Sequence, residues 1–231
     1  MTFAQRLEAA ALGPDAIARR VARELPDGAV VNLGIGIPTR VANFVPAERG
    51  ILFMAENGIL GIGPRPPKGR EDRDLVNASR EPITTLPGAA IFGHADSFAM
   101  IRGGHVDIAV LGALQVSARG DLANWTVPGV GKGGIGGAMD LATGARAVYA
   151  IMTHLTKDGE MKLLGECAYP LTARGVVTKL FTDIAFIEFT PEGPLLREVA
   201  EGLSAEDVQR ASAPRLRAAQ PLGVLAREEG P

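Results

Sequence analysis

Short, mostly apolar runs that end at glycine or at a polar turn constrain the fold of this chain most strongly. Such runs are too short for buried helices and lack the regular polar alternation of a half-exposed strand, which indicates strands covered on both faces. Helical segments separate several of them, as in proteins built on a largely parallel sheet. The runs that predict strands are residues 29–33, 50–54, 83–86, 106–111, 147–152 and 185–189.

Helices are predicted from capping residues and from four-residue spacing. Thr2 and Gln5 form a capping box, and Ile17, Val21 and Leu25 recur on one face of a second helix. We predict helices over residues 2–12, 14–25 and 39–44, a last helix starting at residue 204, and an irregular, peripheral tail from about residue 214. The sequence therefore predicts a single α/β domain over residues 1–231, with an open, largely parallel sheet flanked by helices.

Charge and cysteine content argue against several classes of function. The 24 basic and 26 acidic side chains give a formal net charge of −2 without a basic stripe, so no nucleic-acid partner is expected. No apolar run reaches ~18 residues, so we expect no membrane span and a cytoplasmic protein. Cys167 is the only cysteine, and His94, His105 and His154 share no metal-ligand spacing. We expect no disulfide, no bound metal and structural roles for these four residues.

A glutamate follows one predicted strand directly. Glu56 comes after the strand at residues 50–54 and Ala55, and is itself followed by Asn57 and Gly58, a strong turn signal. A carboxylate with apolar neighbours is costly to bury, but desolvation also makes it a better nucleophile. A glutamate that merely caps a surface turn remains the alternative.

Two glycine-containing loops offer backbone groups to a ligand. Asn32 lies near the end of a predicted buried strand, and Gly34 and Gly36 after it let a ligand approach the backbone. Thr39 stands where a dinucleotide-binding loop would have its third glycine, so that motif is a poor match and a tight strand-to-helix turn is the alternative. Residues 127–140 contain many glycines whose unobstructed N–H groups can form an oxyanion hole, with a flexible lid as the alternative.

A basic segment follows the Glu56 turn. Five cationic side chains fall between Arg65 and Arg80, but neighbouring acids dilute their charge and favour a solvated loop. A phosphorylated ligand bound close to Glu56 is the functional alternative.

Five segments carry long, specific motifs. They are the Glu56 turn, the Asn32 loop, residues 97–105 (Ser-Phe-Ala-Met-Ile-Arg-Gly-Gly-His), residues 120–125 (Gly-Asp-Leu-Ala-Asn-Trp) and residues 136–140 (Gly-Gly-Ala-Met-Asp). Together they closely resemble the family I CoA-transferases, in particular the B (beta) chain of the 3-oxoacid type. The resemblance runs from about residue 30 to residue 203.

The resemblance implies roles for individual residues. Glu56 matches the catalytic glutamate, Gly137 with Gly136 matches the backbone oxyanion donor, and Asn32 matches a supporting residue. Arg80 stands where the family often has a lysine that contacts CoA. The residues implied to contact CoA or substrate are Gly34, Gly36, Asn57, Gly58, Asn77 and Arg80.

The resemblance also implies an activity and a partner. The expected reaction moves CoA from an acyl-CoA, first succinyl-CoA, to a 3-oxoacid such as acetoacetate or 3-oxoadipate, through a glutamyl-CoA thioester on Glu56 and with ping-pong kinetics. The expected assembly is an A₂B₂ heterotetramer with a homologous A-type CoA-transferase subunit, and CoA thioester is a substrate rather than a permanently bound cofactor. Met54 and Ala55 depart from the family pattern, which has His or Gln and then Ser. An acyl-CoA hydrolase and a sugar-phosphate-sensing domain are the alternatives.

Overall fold

The computed structural model describes residues 1–130 and 134–226, and its strands come in short consecutive groups separated by helices. The helices are α1 (Phe3–Ala10), α2 (Pro14–Glu24), α3 (Ile37–Arg40), α4 (His94–Arg102), α5 (Ala138–Gly144) and α6 (Ala205–Arg210). The strands are β1 (Val30–Leu33), β2 (Leu52–Ala55), β3 (Ile59–Ile62), β4 (Thr85–Ile91), β5 (Ile108–Gly112), β6 (Gln115–Ser117), β7 (Leu122–Ala123), β8 (Ala147–Ile151), β9 (Leu163–Leu164), β10 (Val177–Phe181), β11 (Ala185–Thr190), β12 (Gly193–Ala200) and β13 (Arg217–Leu225). Two 3₁₀ helices, Val41–Phe44 and Ala47–Arg49, follow α3.

A ten-stranded sheet organises the molecule, in the order β13-β12-β11-β10-β8-β5-β1-β2-β3-β4. Its centre is parallel, because β10, β8, β5, β1 and β2 pair side by side in the same direction. Antiparallel hairpins extend it on both sides, and β13 adds a parallel strand at one edge. The predicted α/β class with an open, largely parallel sheet is confirmed. A separate sheet contains β7, β6 and β9.

Helices cover both faces of the parallel centre, which explains why its strands are mostly apolar. On one face α2 buries Ile17 and Val21 against a cluster that includes Val31 of β1. On the other face α4 and α5 contribute Ile101 and Leu141 to a second cluster. Because side chains alternate along a strand, Asn32 points to the face opposite Val31, toward the side that α4 and α5 cover.

The tail predicted to be irregular is a strand, so that prediction was wrong. Residues 217–225 form β13, which pairs with β12 in parallel. Pro221 and Gly223 interrupt its strand pattern, and such residues are tolerated at a sheet edge, where one side of the strand has no neighbour. The strand predicted at residues 83–86 begins later and is longer, as β4. Strands β3, β6, β7, β9, β10 and β12 were not predicted, and the single domain over residues 1–231 stays a prediction.

Candidate active site

The carboxyl ends of β1 and β2 bring two of the predicted site residues together. The strands are parallel neighbours, and Asn32 pairs in register with Met54, two residues before Glu56. In open α/β sheets ligands bind at this edge of the strands. Parallel pairing therefore places two side chains side by side that are 24 residues apart in the sequence.

A tight turn between β2 and β3 presents the carboxylate of Glu56. The amide of Gly58 donates to the carbonyl of Ala55 over 3.0 Å and closes the turn. Gly58 has a φ of +112°, and a Cβ atom there would clash with the carbonyl oxygen of Phe92. Only glycine tolerates both this positive φ and the lack of room for a Cβ atom, so the predicted Asn-Gly turn requires Gly58. The turn holds the half-buried Glu56 at the end of β2.

Asn32 is fully buried and donates to the Glu56 carboxylate. Its Nδ2 lies 3.1 Å from the carbonyl oxygen of Met54 and 3.4 Å from Oε2 of Glu56. Its Oδ1 is buried and accepts no hydrogen bond from the residues that the structure describes. A buried amide oxygen without a hydrogen bond destabilises the folded state. The orientation of the Asn32 amide that leaves Oδ1 unpaired is also the orientation that directs Nδ2 toward Glu56.

Gly137 brings its backbone close to the Glu56 side chain. It precedes α5 as the N-cap residue, and the first N–H groups of a helix have no partner within the helix. A Cβ atom at Gly137 would lie 2.9 Å from Cζ of Phe98 and 3.7 Å from Cγ of Glu56. The close approach therefore depends on the absence of a side chain. Gly136 precedes it with a φ of +48°.

Glu56 and Gly137 line one cavity of about 680 Å³. Its walls come from the β2–β3 turn, from α4, from the start of α5 and from the loop that precedes β4. The lining residues are Glu56, Asn57, Ala78, His94, Ala95, Phe98, Arg102, Gly136, Gly137 and Asp140. Four predicted site residues, Glu56, Asn57, Gly136 and Gly137, therefore line this cavity together with residues that were not predicted as site residues.

One face of α4 supplies three of those unpredicted side chains. His94, Phe98 and Arg102 follow each other at four-residue spacing, so they lie above one another on the helix. The His94 and Phe98 ring centroids are 4.7 Å apart, and the Arg102 guanidinium lies 5.7 Å from the Phe98 ring. Nε of Arg102 donates to Oδ1 of Asp140 over 2.7 Å, and this hydrogen bond raises the pKa of Arg102. The sequence assigned His94 a structural role, and only the four-residue spacing could have indicated this face.

The predicted contacts in the loop before β4 are only partly beside the cavity. Nδ2 of Asn57 donates to the carbonyl of Val76 over 2.8 Å and ties this loop to the Glu56 turn. Oδ1 of Asn77 accepts from the backbone amides of residues 79 and 81, so it shapes the loop itself. Arg80 is exposed, with a φ of +60°. Of this loop, the described lining includes only Ala78, which lies between Asn77 and Arg80.

The glycines after β1 lie outside the described cavity lining. Gly34 packs against β5, where a Cβ atom would lie 3.1 Å from the carbonyl oxygen of Val110. Gly36 has a φ of +92° and open space around it. The structure therefore explains Gly34 by packing and Gly36 by backbone conformation. Lys132, within the predicted glycine-rich loop, lies outside the described residues.

The two departures from the family pattern are buried in β2. Met54 and Ala55 are 3% and 4% exposed, and neither lines the cavity. They therefore place apolar atoms beneath Glu56 rather than in the wall that meets a ligand.

Other reactive groups are poorly suited to chemistry at this site. Burial, with a contribution from Asp121, raises the pKa of the Cys167 thiol to about 11, so the thiol stays protonated near neutral pH.

Among residues 1–130 and 134–226 no three His, Cys, Asp or Glu side chains lie close enough together to form a metal site. In the same part of the chain no helix is long and apolar enough to cross a membrane.

Comparison with known proteins decides the family. The profile of the coenzyme A transferase family matches residues 15–211. The chain belongs to this family. It is 52% identical over 197 residues to the B chain of the 3-oxoadipate CoA-transferase of Pseudomonas putida, covering 85% of this chain and 92% of the relative. It is 53% identical over 195 residues to the B chain of the succinyl-CoA:3-ketoacid coenzyme A transferase of Helicobacter pylori, covering 84% and 94%. The beta chain of the acetate CoA-transferase of Escherichia coli is 49% identical over 206 residues, covering 89% and 94%.

Solved structures share the fold of this CoA-transferase chain at low identity. The acyl-CoA transferase YdiF of Escherichia coli O157:H7 superposes with a TM-score of 0.74 at 19% identity, covering 91% of this chain, which spans 42% of that longer chain. Glutaconate coenzyme A-transferase of Acidaminococcus fermentans gives 0.68 at 17% identity, covering 91% and 87%. The decarboxylase AibA/AibB also gives 0.68, at 19% identity and 94% and 90% coverage. One fold therefore supports different reactions, and the site decides between them.

The predicted family and enzyme class, a CoA-transferase of the B (beta) type, are confirmed by the sequence relatives. Those relatives are named as one of two kinds of subunit, which also implies a second, A-type subunit as the partner of this CoA-transferase chain.

Proposed function

We propose that this chain, together with an A-type partner, transfers CoA from an acyl-CoA to a 3-oxoacid through a covalent thioester on Glu56. The observation that supports this most directly is the half-buried Glu56 side chain, which lines a cavity together with Gly137 and whose carboxylate accepts a hydrogen bond from Asn32. A carboxylate of this kind can bond covalently first to the acyl group and then to the thiol of CoA. Both species keep the free energy of the thioester, provided that water does not hydrolyse them.

The proposed reaction has two symmetrical halves. A Glu56 oxygen attacks the carbonyl carbon of the acyl-CoA, the C–S bond breaks, and a mixed anhydride and CoA thiolate form. The thiolate attacks the carbonyl carbon of Glu56, and the donor acid leaves as its carboxylate, which yields glutamyl-CoA. The acceptor carboxylate reverses both steps, forming the new acyl-CoA and restoring the Glu56 carboxylate. No water or proton is consumed, and the covalent intermediate predicts ping-pong kinetics.

Each attack places negative charge on an oxygen beside Gly137. A backbone N–H at this position can stabilise that charge in the transition state, and one such donor is commonly worth ~3–4 kcal/mol. Asn32 supplies a second donor to the carboxylate itself. The contact between Phe98 and Gly137 adds an apolar ring beside Glu56, which helps to exclude water from the thioester.

Succinyl-CoA is the proposed donor, and acetoacetate or 3-oxoadipate the proposed acceptor. The names of relatives about half identical to this chain support this choice. We also propose an A₂B₂ assembly, in which the A-type partner completes the substrate pocket. Asn57, Gly58, Asn77 and Arg80 are proposed to contact CoA through the loop that Asn57 ties to the Glu56 turn, and Gly34 and Gly36 through the neighbouring loop.

Trapping the intermediate tests this function. The complex of this chain with its A-type partner is incubated with succinyl-CoA in the absence of acceptor, reduced with borohydride and analysed by peptide mass spectrometry. We expect reduction of the Glu56 side chain to an alcohol. Glu56→Gln should lower kcat by at least ~10³-fold, whereas Glu48→Gln, at an exposed glutamate in a 3₁₀ helix, should leave it unchanged. Modification of a different residue, or none in the wild-type complex, contradicts the proposal.

The same complex distinguishes transfer from hydrolysis. Free CoA is measured with succinyl-CoA alone and with acetoacetate added. A transferase releases CoA only in stoichiometric amounts with the enzyme when acceptor is absent, and continuous release without acceptor would indicate a hydrolase instead.

A further inference from the structure

The cavity around Glu56 contains one arginine among its described lining residues. The carboxylates of Glu56 and Asp140 line the same cavity, together with the imidazole of His94. A CoA thioester carries phosphates, and the succinyl group adds a carboxylate. Anionic substrates entering a wall with two carboxylates need a cation to offset the repulsion.

Arg102 is available for such a contact. Its Nε is engaged with Asp140, but Nη1 and Nη2 have no hydrogen-bond partner among the residues that the structure describes. Its side chain is 65% exposed, in contrast to the fully buried Asn32. Asp140 fixes one edge of the planar guanidinium, so the remaining N–H groups form a fork suited to a carboxylate or phosphate.

Phe98 lies close both to this cation and to Gly137. Its ring lies against Gly137 on the side of Glu56, and the Arg102 guanidinium lies 5.7 Å from the ring centroid. Arg102 is one helical turn beyond Phe98, which is ~6 Å along the axis of α4. The wall thus presents a carboxylate, an apolar surface and a cation. A dicarboxylic acyl-CoA has the matching groups: a reactive carbonyl, methylenes and a distal carboxylate.

We propose that Arg102 is an anion-binding residue of this active site, which holds a carboxylate or phosphate group of the CoA thioester while Glu56 reacts. The proposal rests on the CoA-transferase function proposed above. The short distance from Phe98 favours the distal carboxylate of the acyl group, because the whole pantetheine arm separates the phosphates of CoA from its sulfur.

Variant kinetics with paired substrates test the proposal. Wild-type, Arg102→Gln and Arg102→Lys complexes are assayed with succinyl-CoA and with butyryl-CoA, which lacks the distal carboxylate. In a second arm, succinyl-CoA is compared with succinyl-dephospho-CoA, which lacks the 3′-phosphate. Arg146→Gln is the matched control, because Arg146 is 68% exposed and paired with Asp107 over 3.0 Å but does not line the cavity.

The expected result is a loss of discrimination in one arm. If the carboxylate is the partner, Arg102→Gln lowers the ratio of kcat/KM for succinyl-CoA to that for butyryl-CoA by about 10- to 100-fold, with partial recovery in Arg102→Lys. If the 3′-phosphate is the partner, the ratio for CoA over dephospho-CoA falls by a similar factor. The Arg146→Gln ratios should equal those of the wild type.

Unchanged ratios in both arms of Arg102→Gln overturn the inference, because each ratio cancels any general loss of active protein. The wild-type trapping experiment separates this outcome from failure of the proposed function. If Glu56 is labelled but the ratios do not move, only the role of Arg102 is wrong.

Discussion

Replacing Asn32 with leucine should separate activity from stability. Leucine keeps the branch at Cγ but removes the Nδ2 donor that lies 3.4 Å from Oε2 of Glu56 and 3.1 Å from the carbonyl of Met54. It also removes the buried Oδ1 that has no partner among the described residues. The first change acts on the proposed nucleophile, whereas the second removes an energetic cost from the folded state.

The magnitudes follow from these contacts. A hydrogen bond to a charged group contributes ~1.5–3 kcal/mol, which corresponds to a loss in kcat of roughly 10- to 150-fold. For stability, removing an unpaired buried acceptor gains ~1–3 kcal/mol, whereas losing the bonds to Met54 and to the half-buried Glu56 costs ~1 kcal/mol each. The free energy of unfolding should therefore stay within ~1 kcal/mol of the wild-type value.

Steady-state kinetics of the complex and urea unfolding of the variant check both values. Ser97→Ala is the matched control, because Oγ of Ser97 is the other buried side-chain atom without a described partner, and Ser97 does not line the cavity. It should gain roughly 1 kcal/mol of stability without losing activity. If Asn32→Leu keeps kcat within about threefold, or loses stability in parallel with activity, the assigned role of its amide is wrong.

Three further changes have expected outcomes. Gly137→Ala should lower kcat by about 10²-fold, because the added Cβ atom would clash with Phe98 and shift the backbone near Glu56. Gly134→Ala is the control and should leave kcat nearly unchanged in the same assay, because the space around Gly134 is open. Burial, with a smaller effect of a nearby lysine, lowers the pKa of His154 from 6.5 to about 4, so the unfolded chain takes up the proton first as the pH falls. The free energy of unfolding should therefore drop by roughly 3 kcal/mol between about pH 6.5 and pH 4, measured by urea unfolding, and His154→Asn should lack this drop. Gly58→Ala should reduce soluble yield and lower the melting temperature, because that position needs a positive φ and has no room for a methyl group; an unchanged melting temperature would contradict this.

Local sequence patterns indicated the fold class and singled out Glu56, and the resemblance to the family implied its proposed role as the nucleophile. Apolar runs indicated the central strands β1, β2, β5 and β8, because a parallel strand is buried on both faces and most of its residues are therefore apolar. They did not indicate β10, which also belongs to the parallel centre. The same pattern fails for β13, whose exposed edge allows proline and glycine. Glu56 could be found because a charged residue between an apolar strand and an Asn-Gly turn is locally unusual.

Only the tertiary structure decided what surrounds Glu56. Asn32 reaches it because β1 and β2 are parallel neighbours, and Gly137 reaches it because α5 packs beside α4. Arg102 and Phe98 enter the cavity wall through the same helix packing. A sequence shows which face of each element is apolar, but which faces meet depends on contacts between distant segments, and no local pattern specifies those contacts.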